Sequence, residues 1–208
     1  MQLKDYFYFF PGAVPERICD DIVKHALSFK GQRAITGSSV AGKMSIAQIK
    51  NLKKQRDSNI VWLNERWIYK EIQPYIHQAN ANADWNFQWD CSEACQFTKY
   101  YKDQFYDWHC DGFPEAYNLP EDPMRHGKIR KLSVTVSLSD GKEYSGGDFE
   151  VDFRNMEPNK ESSIRAVTEI RPKGSVIVFP ADLWHRITPI KKGKRYSLVI
   201  WNLGNPFK

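Results

Sequence analysis

The run from Lys131 to Leu138 alternates without interruption. Leu132, Val134, Val136 and Leu138 share one face, while Ser133, Thr135 and Ser137 share the other. Successive side chains of a strand point to opposite faces, so this period of two predicts a strand. Two unlike faces mean two unlike environments. The apolar face suits packing against helices, and the small hydroxyl face suits the lining of a central cavity.

The helices such a strand needs are legible upstream. Ile18, Ile22, Ala26 and Phe29 fall at helical spacing over residues 15–29, with Pro15 suited to the first turn. Ile68, Ile72, Tyr75, Ile76 and Ala79 mark a second helix over 64–80, which Pro74 should kink or divide. Ile60–Leu63 reads as a short strand or a lead-in to that helix. After residue 84 the pattern turns to strands, and Trp85–Trp89 alternates as well. Gly146-Gly147 marks a bulge or a close backbone approach. Helices followed by many short strands predict a mainly β (α+β) fold, a double-stranded β-helix (jelly-roll) core with N-terminal helices packed on it. The 208 residues suit one domain, with helical support and a substrate loop over 1–83 and the jelly-roll core over 84–208.

On this frame, His109-Cys110-Asp111 gains meaning. On a strand, positions i and i+2 share a face, so His109 and Asp111 reach one ion together while Cys110 points away. An H-x-D pair alone is weak. A second histidine, His185, follows the apolar run Val176–Phe179. Two histidines and one carboxylate make the facial triad of non-haem iron(II) oxygenases, which leaves about three of six positions open. A turn-rich stretch, Thr188–Lys194, then leads to a strand-like run from Arg195 to Leu203. We read the two runs as a β-hairpin that returns Arg195 to the side of His185. Arg195, Ser197, Val199 and Trp201 share a face there. An arginine fork grips a carboxylate by two parallel hydrogen bonds, and Ser197 adds a donor.

Four stretches carry a specific resemblance. They are Gln96–Tyr100 with Phe105–Asp111, then Arg130–Ser139, then Tyr144–Val151, then Gly174–Trp201. Phe9-Phe10-Pro11-Gly12 and the helix holding Cys19-Asp20 match the usual opening. In these the chain resembles the Fe(II)/2-oxoglutarate-dependent oxygenases, in particular their prolyl 4-hydroxylase-like branch. Tyr101 and Asp103 depart from it, standing where small residues are usual. The resemblance implies Fe(II) on His109, Asp111 and His185, with 2-oxoglutarate and O2 as cosubstrates and ascorbate as an auxiliary reductant. It implies that the far carboxylate of 2-oxoglutarate meets Arg195, helped by Ser197, Tyr100 and Thr135, and that succinate and CO2 leave. The implied partner is a protein or peptide with an exposed proline. A hydroxylase of a free amino acid or small molecule is one alternative, and a non-catalytic binding protein is another. A nucleic-acid dealkylase of the same superfamily usually keeps a second arginine six positions after the clamp, and residue 201 is Trp.

Composition excludes other classes. No apolar run approaches the ~18 residues of a membrane helix. Met1–Phe10 lacks the basic region and cleavage site of a signal peptide. Four cysteines are too few for a disulfide scaffold, which favours a reducing cytoplasm, and Cys91 and Cys95 read as free thiols. The net charge of +5 rests largely on lysine-rich stretches read as solvated loops. His25, His77 and His126 lack partners at ligand spacing. For the substrate groove the candidates are Trp108, Arg56 and Tyr117, between walls formed by residues 30–56 and 112–130. Tyr106 reads as a packing residue.

Overall fold

The computed structural model describes residues 2–34, 54–112, 115–153 and 163–208. The alternating run forms β8 (Ile129–Ser137), which lies between β12 (Val176–Pro180) and β15 (Arg195–Gly204) in the larger of the two main antiparallel sheets. Beyond β12 that sheet ends in β1 (Tyr8–Phe10). Beyond β15 it continues through β6 (Cys95–Tyr100), β4 (Asn59–Leu63) and β2 (Gln32–Arg33), and β5 (Cys91–Ser92) pairs with the far end of β15. The smaller sheet runs in the order β11 (Ile164–Ala166), β10 (Phe149–Asp152), β13 (Trp184–Ile187), β7 (Phe105–His109) and β3 (Arg56–Asp57). Strands from both sides of residue 84 therefore build the two sheets.

The apolar face of β8 packs as its pattern predicts. Leu132, Val134 and Val136 join one buried cluster with Ile18, Ile22 and Ala26 of α1 (Glu16–Leu27) and Ile68, Ile72, Ile76 and Ala79 of α2 (Arg66–Asn82). Each fully buried isoleucine of this kind stabilises the fold by about 1.5–3 kcal/mol. A second cluster, with Phe149, Val151, Ile177, Phe179 and Ile187, fills the space between the sheets. No helix among the described residues is long and apolar enough to cross a membrane.

The fold departs from the sequence reading at four places. Pro74 does not divide α2, which runs unbroken from Arg66 to Asn82. Pro74 is on its exposed side, where water can satisfy the carbonyl its ring leaves unpaired. Phe29 falls outside α1 and is exposed, because Ser28 caps the helix end through its backbone and hydroxyl bonds to the His25 carbonyl. Trp85–Trp89 is not a strand, although Trp85, Phe87 and Trp89 pack inward against the helix-side cluster. The Asn80 side-chain amide brackets Phe87, accepting from its N–H at 3.0 Å and donating to its carbonyl at 2.9 Å, in place of a ladder.

The fourth departure matters for the site. β13 and β15 do not form a hairpin. The first pairs with β7 and β10, the second with β6 and β8. Between them β14 (Ile190–Lys192) pairs with β9 (Ser145–Gly146) and carries the chain from one sheet to the other. Gly146 makes this crossing fit: its φ is +69°, and a Cβ there would lie 2.2 Å from the Pro189 carbonyl oxygen.

Candidate metal and cosubstrate site

One cavity between the sheets gathers His109, Asp111, His185, Arg195, Ser197, Tyr100, Thr135 and Arg56, most of them buried. His109 ends β7 and His185 sits opposite it on β13. Asp111 lies two residues past the end of β7, so strand geometry does not aim it. Its backbone N–H and that of Gly112 both donate to the Ala181 carbonyl, at 2.9 and 2.7 Å, and fold the chain inward. The Asp111 carboxylate oxygens stand 3.7 Å from His109 Nε2 and 3.6 Å from His185 Nε2. The three ligand atoms lie within 4.8 Å of one another, and no other such group occurs among the described residues.

The ring orientations suit ligation. His109 Nδ1–H donates to the Asp107 carbonyl at 2.7 Å and His185 Nδ1–H to the Leu183 carbonyl at 2.9 Å, so Nε2 is the ring nitrogen that each turns toward Asp111. Burial, with His185 beside it, pushes His109 well below the usual imidazole range, so it is neutral near pH 7. Burial alone would raise the Asp111 carboxyl, but His185, His109 and Arg130 outweigh it and hold the group below its usual range. Two imidazoles and one carboxylate form a donor set that fits iron(II).

Across the cavity, β15 presents Arg195, Ser197, Val199 and Trp201 on one face, as their spacing predicts. Arg195 is 2% exposed and donates from Nη1 to Ser197 Oγ at 3.2 Å. Among the described residues it has no carboxylate partner. A buried cation without a counter-charge is costly, so the place calls for an anion. Tyr100, opposite Arg195 on β6, lies beneath its guanidinium, and Thr135 of β8 adds a hydroxyl to the same lining.

The substrate candidates separate. Arg56 enters the cavity, where its Nε–H donates to Ser58 Oγ at 2.9 Å and its guanidinium covers the Tyr106 ring. Trp108 does not enter. It lies on the outward face of β7, under the Arg186 guanidinium at 4.6 Å. Tyr117 is not in the lining either, but its hydroxyl donates to Glu93 Oε1 at 2.9 Å. Glu93 pairs with Arg130 at 2.6 Å. Arg130 in turn donates to the Asp111 carbonyl at 3.2 Å and lies 3.9 Å over the Trp201 ring. Of the loop 112–130, residues 113 and 114 lie outside the described residues, as do residues 35–53 of the other expected wall.

Sequence reasoning missed Tyr106 and Arg130. Tyr106 stands three residues before His109, an odd spacing that puts two side chains on opposite faces of a regular strand. The register slips here: from His185 to Ile187 β13 advances two residues, while β7 goes from His109 to Tyr106. This bulge turns Tyr106 onto the cavity face. The other histidines are engaged elsewhere: His25 with Glu65, His77 stacked on Trp89, His126 with the Leu119 N–H. All four cysteines are free.

A jelly-roll enclosing a two-histidine, one-carboxylate set with a buried arginine opposite defines a non-haem oxygenase class. Residues 95–202, just over half of the chain, match the 2OG-Fe(II) oxygenase superfamily, and the chain belongs to it. Curated relatives include a PKHD-type hydroxylase of Hyphomonas neptunium, 32% identical over 97 residues (44% of this chain, 39% of that protein). A PKHD-type hydroxylase of Prochlorococcus marinus is 31% identical over 105 residues (50% and 39%). The match thus spans about two fifths of the length of these relatives. Among solved structures, a viral collagen prolyl hydroxylase of Paramecium Bursaria Chlorella virus-1, determined with 2OG, superposes with TM-score 0.62 at 18% identity (96% of each chain). A Pseudomonas putida prolyl-4-hydroxylase gives 0.62 at 16% (95% and 91%). These two likenesses establish the fold.

Proposed function

We propose that the chain is an Fe(II)- and 2-oxoglutarate-dependent dioxygenase that hydroxylates an unactivated C–H bond, with peptidyl proline as the substrate and 4-hydroxylation as the outcome, releasing succinate and CO2. The observation that carries this reading is the buried Arg195, without an acid partner among the described residues, in the same cavity as the His109, Asp111 and His185 set. A diacid fills both needs, with one end at the metal and the other at the guanidinium.

On this reading His109, Asp111 and His185 hold the iron. Arg195, with Ser197, Tyr100 and Thr135, receives the far carboxylate of 2-oxoglutarate. Bound together with dioxygen, the metal and diacid supply an oxidant able to attack an unactivated C–H bond. The protein's part is placement and exclusion of side reactions. Arg56 faces the space left for the substrate, and Trp201 forms its wall, backed by the contacts among Arg130, Glu93 and Tyr117. The prolyl assignment draws support from prolyl hydroxylases among the fold neighbours, one determined with a peptide of a hypoxia inducible factor degradation domain from Trichoplax adhaerens (TM-score 0.60, 14% identity, 95% and 83% covered). Trp201 occupies the position where dealkylases of the superfamily usually keep an arginine. The four free thiols suit a reducing compartment such as the cytoplasm.

The test is succinate release by iron-loaded protein given 2-oxoglutarate and oxygen, with and without proline-containing peptides. Stimulation by such peptides, with a mass gain of one oxygen on proline, is expected. No succinate under any condition, with no 2-oxoglutarate binding by calorimetry, would overturn the reading.

A further inference from the structure

Tyr106 lies flat on His109. The ring centroids are 3.5 Å apart and the planes meet at 14°. On the far side of Tyr106 sits the Arg56 guanidinium, 4.3 Å from the ring centroid. Arg56 is itself fixed, by Ser58 Oγ at 2.9 Å and Gln96 Oε1 at 3.4 Å, and is 5% exposed. The result is a three-layer stack that runs from the edge strand β3 through β7 to an imidazole aimed at the metal position.

The stack has a physical use. Rotation of an imidazole about its terminal torsion is broad, so the side chain alone does not fix the ring plane. The Nδ1 bond to the Asp107 carbonyl fixes one point of the His109 ring. A flat plate against its face fixes the plane. The His185 ring also abuts it, tilted at 54° with its centroid 4.1 Å away. Tyrosine presents an electron-rich face to the guanidinium, which holds it against the histidine. Partners of a metal ligand that orient it are commonly worth ten- to a hundredfold in metal affinity.

We propose that Tyr106, backed by Arg56, is a positioning residue that sets the plane of the His109 ring for metal binding. The proposal rests on the assignment of His109 as an iron ligand. It assigns a role to the bulge in β7, which alone brings Tyr106 to the cavity face. The working contact is the aromatic plate, and the phenol hydroxyl is dispensable for it.

The experiment titrates Mn(II) into metal-free protein by calorimetry, without 2-oxoglutarate or substrate, and records the d–d absorption of the Co(II)-loaded form, which reads ligand geometry. Tyr106→Phe should bind Mn(II) within about threefold of wild type and leave the Co(II) spectrum unchanged. Tyr106→Leu should bind about ten- to a hundredfold more weakly and alter that spectrum. Arg56→Met should weaken binding by a smaller factor in the same direction. Wild-type affinity and an unchanged Co(II) spectrum in folded Tyr106→Leu would overturn the proposal. If Tyr106→Leu does not fold, the same null result in Arg56→Met overturns it. Wild-type protein that takes up no Mn(II) or Co(II) sinks the metal assignment and the proposal with it. Wild-type protein that binds metal but never turns over 2-oxoglutarate sinks only the catalytic reading.

Discussion

Arg195 and Tyr100 are direct cross-strand partners, and the Arg195 guanidinium carbon lies 5.6 Å from the centre of the Tyr100 ring. The cation is thus walled by an aromatic face and by Ser197, and lacks an acid among the described residues.

Replacing Arg195 by Met should weaken 2-oxoglutarate binding to Mn(II)-loaded protein at least about thirtyfold, since truncating one partner of a buried charge pair costs about 2–5 kcal/mol. Calorimetry checks this. Without the diacid the variant should melt no lower than wild type, because an unpaired buried charge has been removed. An unchanged affinity for 2-oxoglutarate would show that the clamp lies elsewhere.

Asp111→Ala should abolish metal uptake, since it removes the one anionic ligand of the set. Mn(II) should raise the melting temperature of wild type through preferential binding to the folded state and leave the variant unmoved. Equal shifts in the two proteins would contradict the assignment.

Metal-free protein should lose stability as pH falls from about 7. Burial, with His185 nearby, keeps His109 neutral in the folded state, whereas an unfolded histidine takes its proton near ~6.5. Between those values the unfolded chain binds more protons, so stability declines with falling pH by up to about 1.4 kcal/mol per unit from this group. Asp111, held below its usual range, adds a loss only below about pH 4. Urea titrations from about pH 8 to about pH 5 should show the slope, and His109→Gln should reduce it. A flat profile in wild type would rule it out.

Glu93→Ala should cost about 3–5 kcal/mol in urea denaturation, because it strands the Arg130 charge under Trp201. The double variant Glu93→Leu, Arg130→Met should recover much of that loss. If the double variant is as unstable as Glu93→Ala, the penalty is not one of unpaired charge.

Gly146→Ala should destabilise by at least about 3 kcal/mol, since it adds a Cβ at positive φ within 2.2 Å of a carbonyl oxygen. The melting temperature reports it directly, and a shift of a degree or two would mean that the β9–β14 crossing yields.

Local periodicity made much of this molecule legible. The faces of β8 and β15 and the apolar sides of both helices depend on contacts that repeat along the chain, and His109, Asp111, His185 and Arg195 are legible as residue types, although a turn onto the Ala181 carbonyl aims Asp111 and a crossing between sheets places Arg195. What stayed hidden depends on contacts that do not repeat along the chain. Trp85–Trp89 alternates like a strand, yet Asn80 occupies the backbone positions that a neighbour would need. Thr188–Lys194 reads as a hairpin turn, yet its middle pairs with β9, and its ends part to opposite sheets. Tyr106 was concealed by a bulge, which reverses the parity that a sequence pattern relies on.

The ten residues of β15 have one more consequence. Arg195 and Trp201 are six positions apart on a single unbroken strand, a span of about 20 Å at ~3.3 Å per residue. On the reading proposed above, that strand is a ruler with the diacid anchor at one end and the substrate wall toward the other. Hydrogen bonding on both edges prevents it from stretching. The distance from the diacid anchor to the substrate wall is therefore held by one ladder. The length of diacid that fits is set instead by the gap between the sheets, because the proposed metal ligands come from β7, β13 and the turn after β7 while the guanidinium comes from β15.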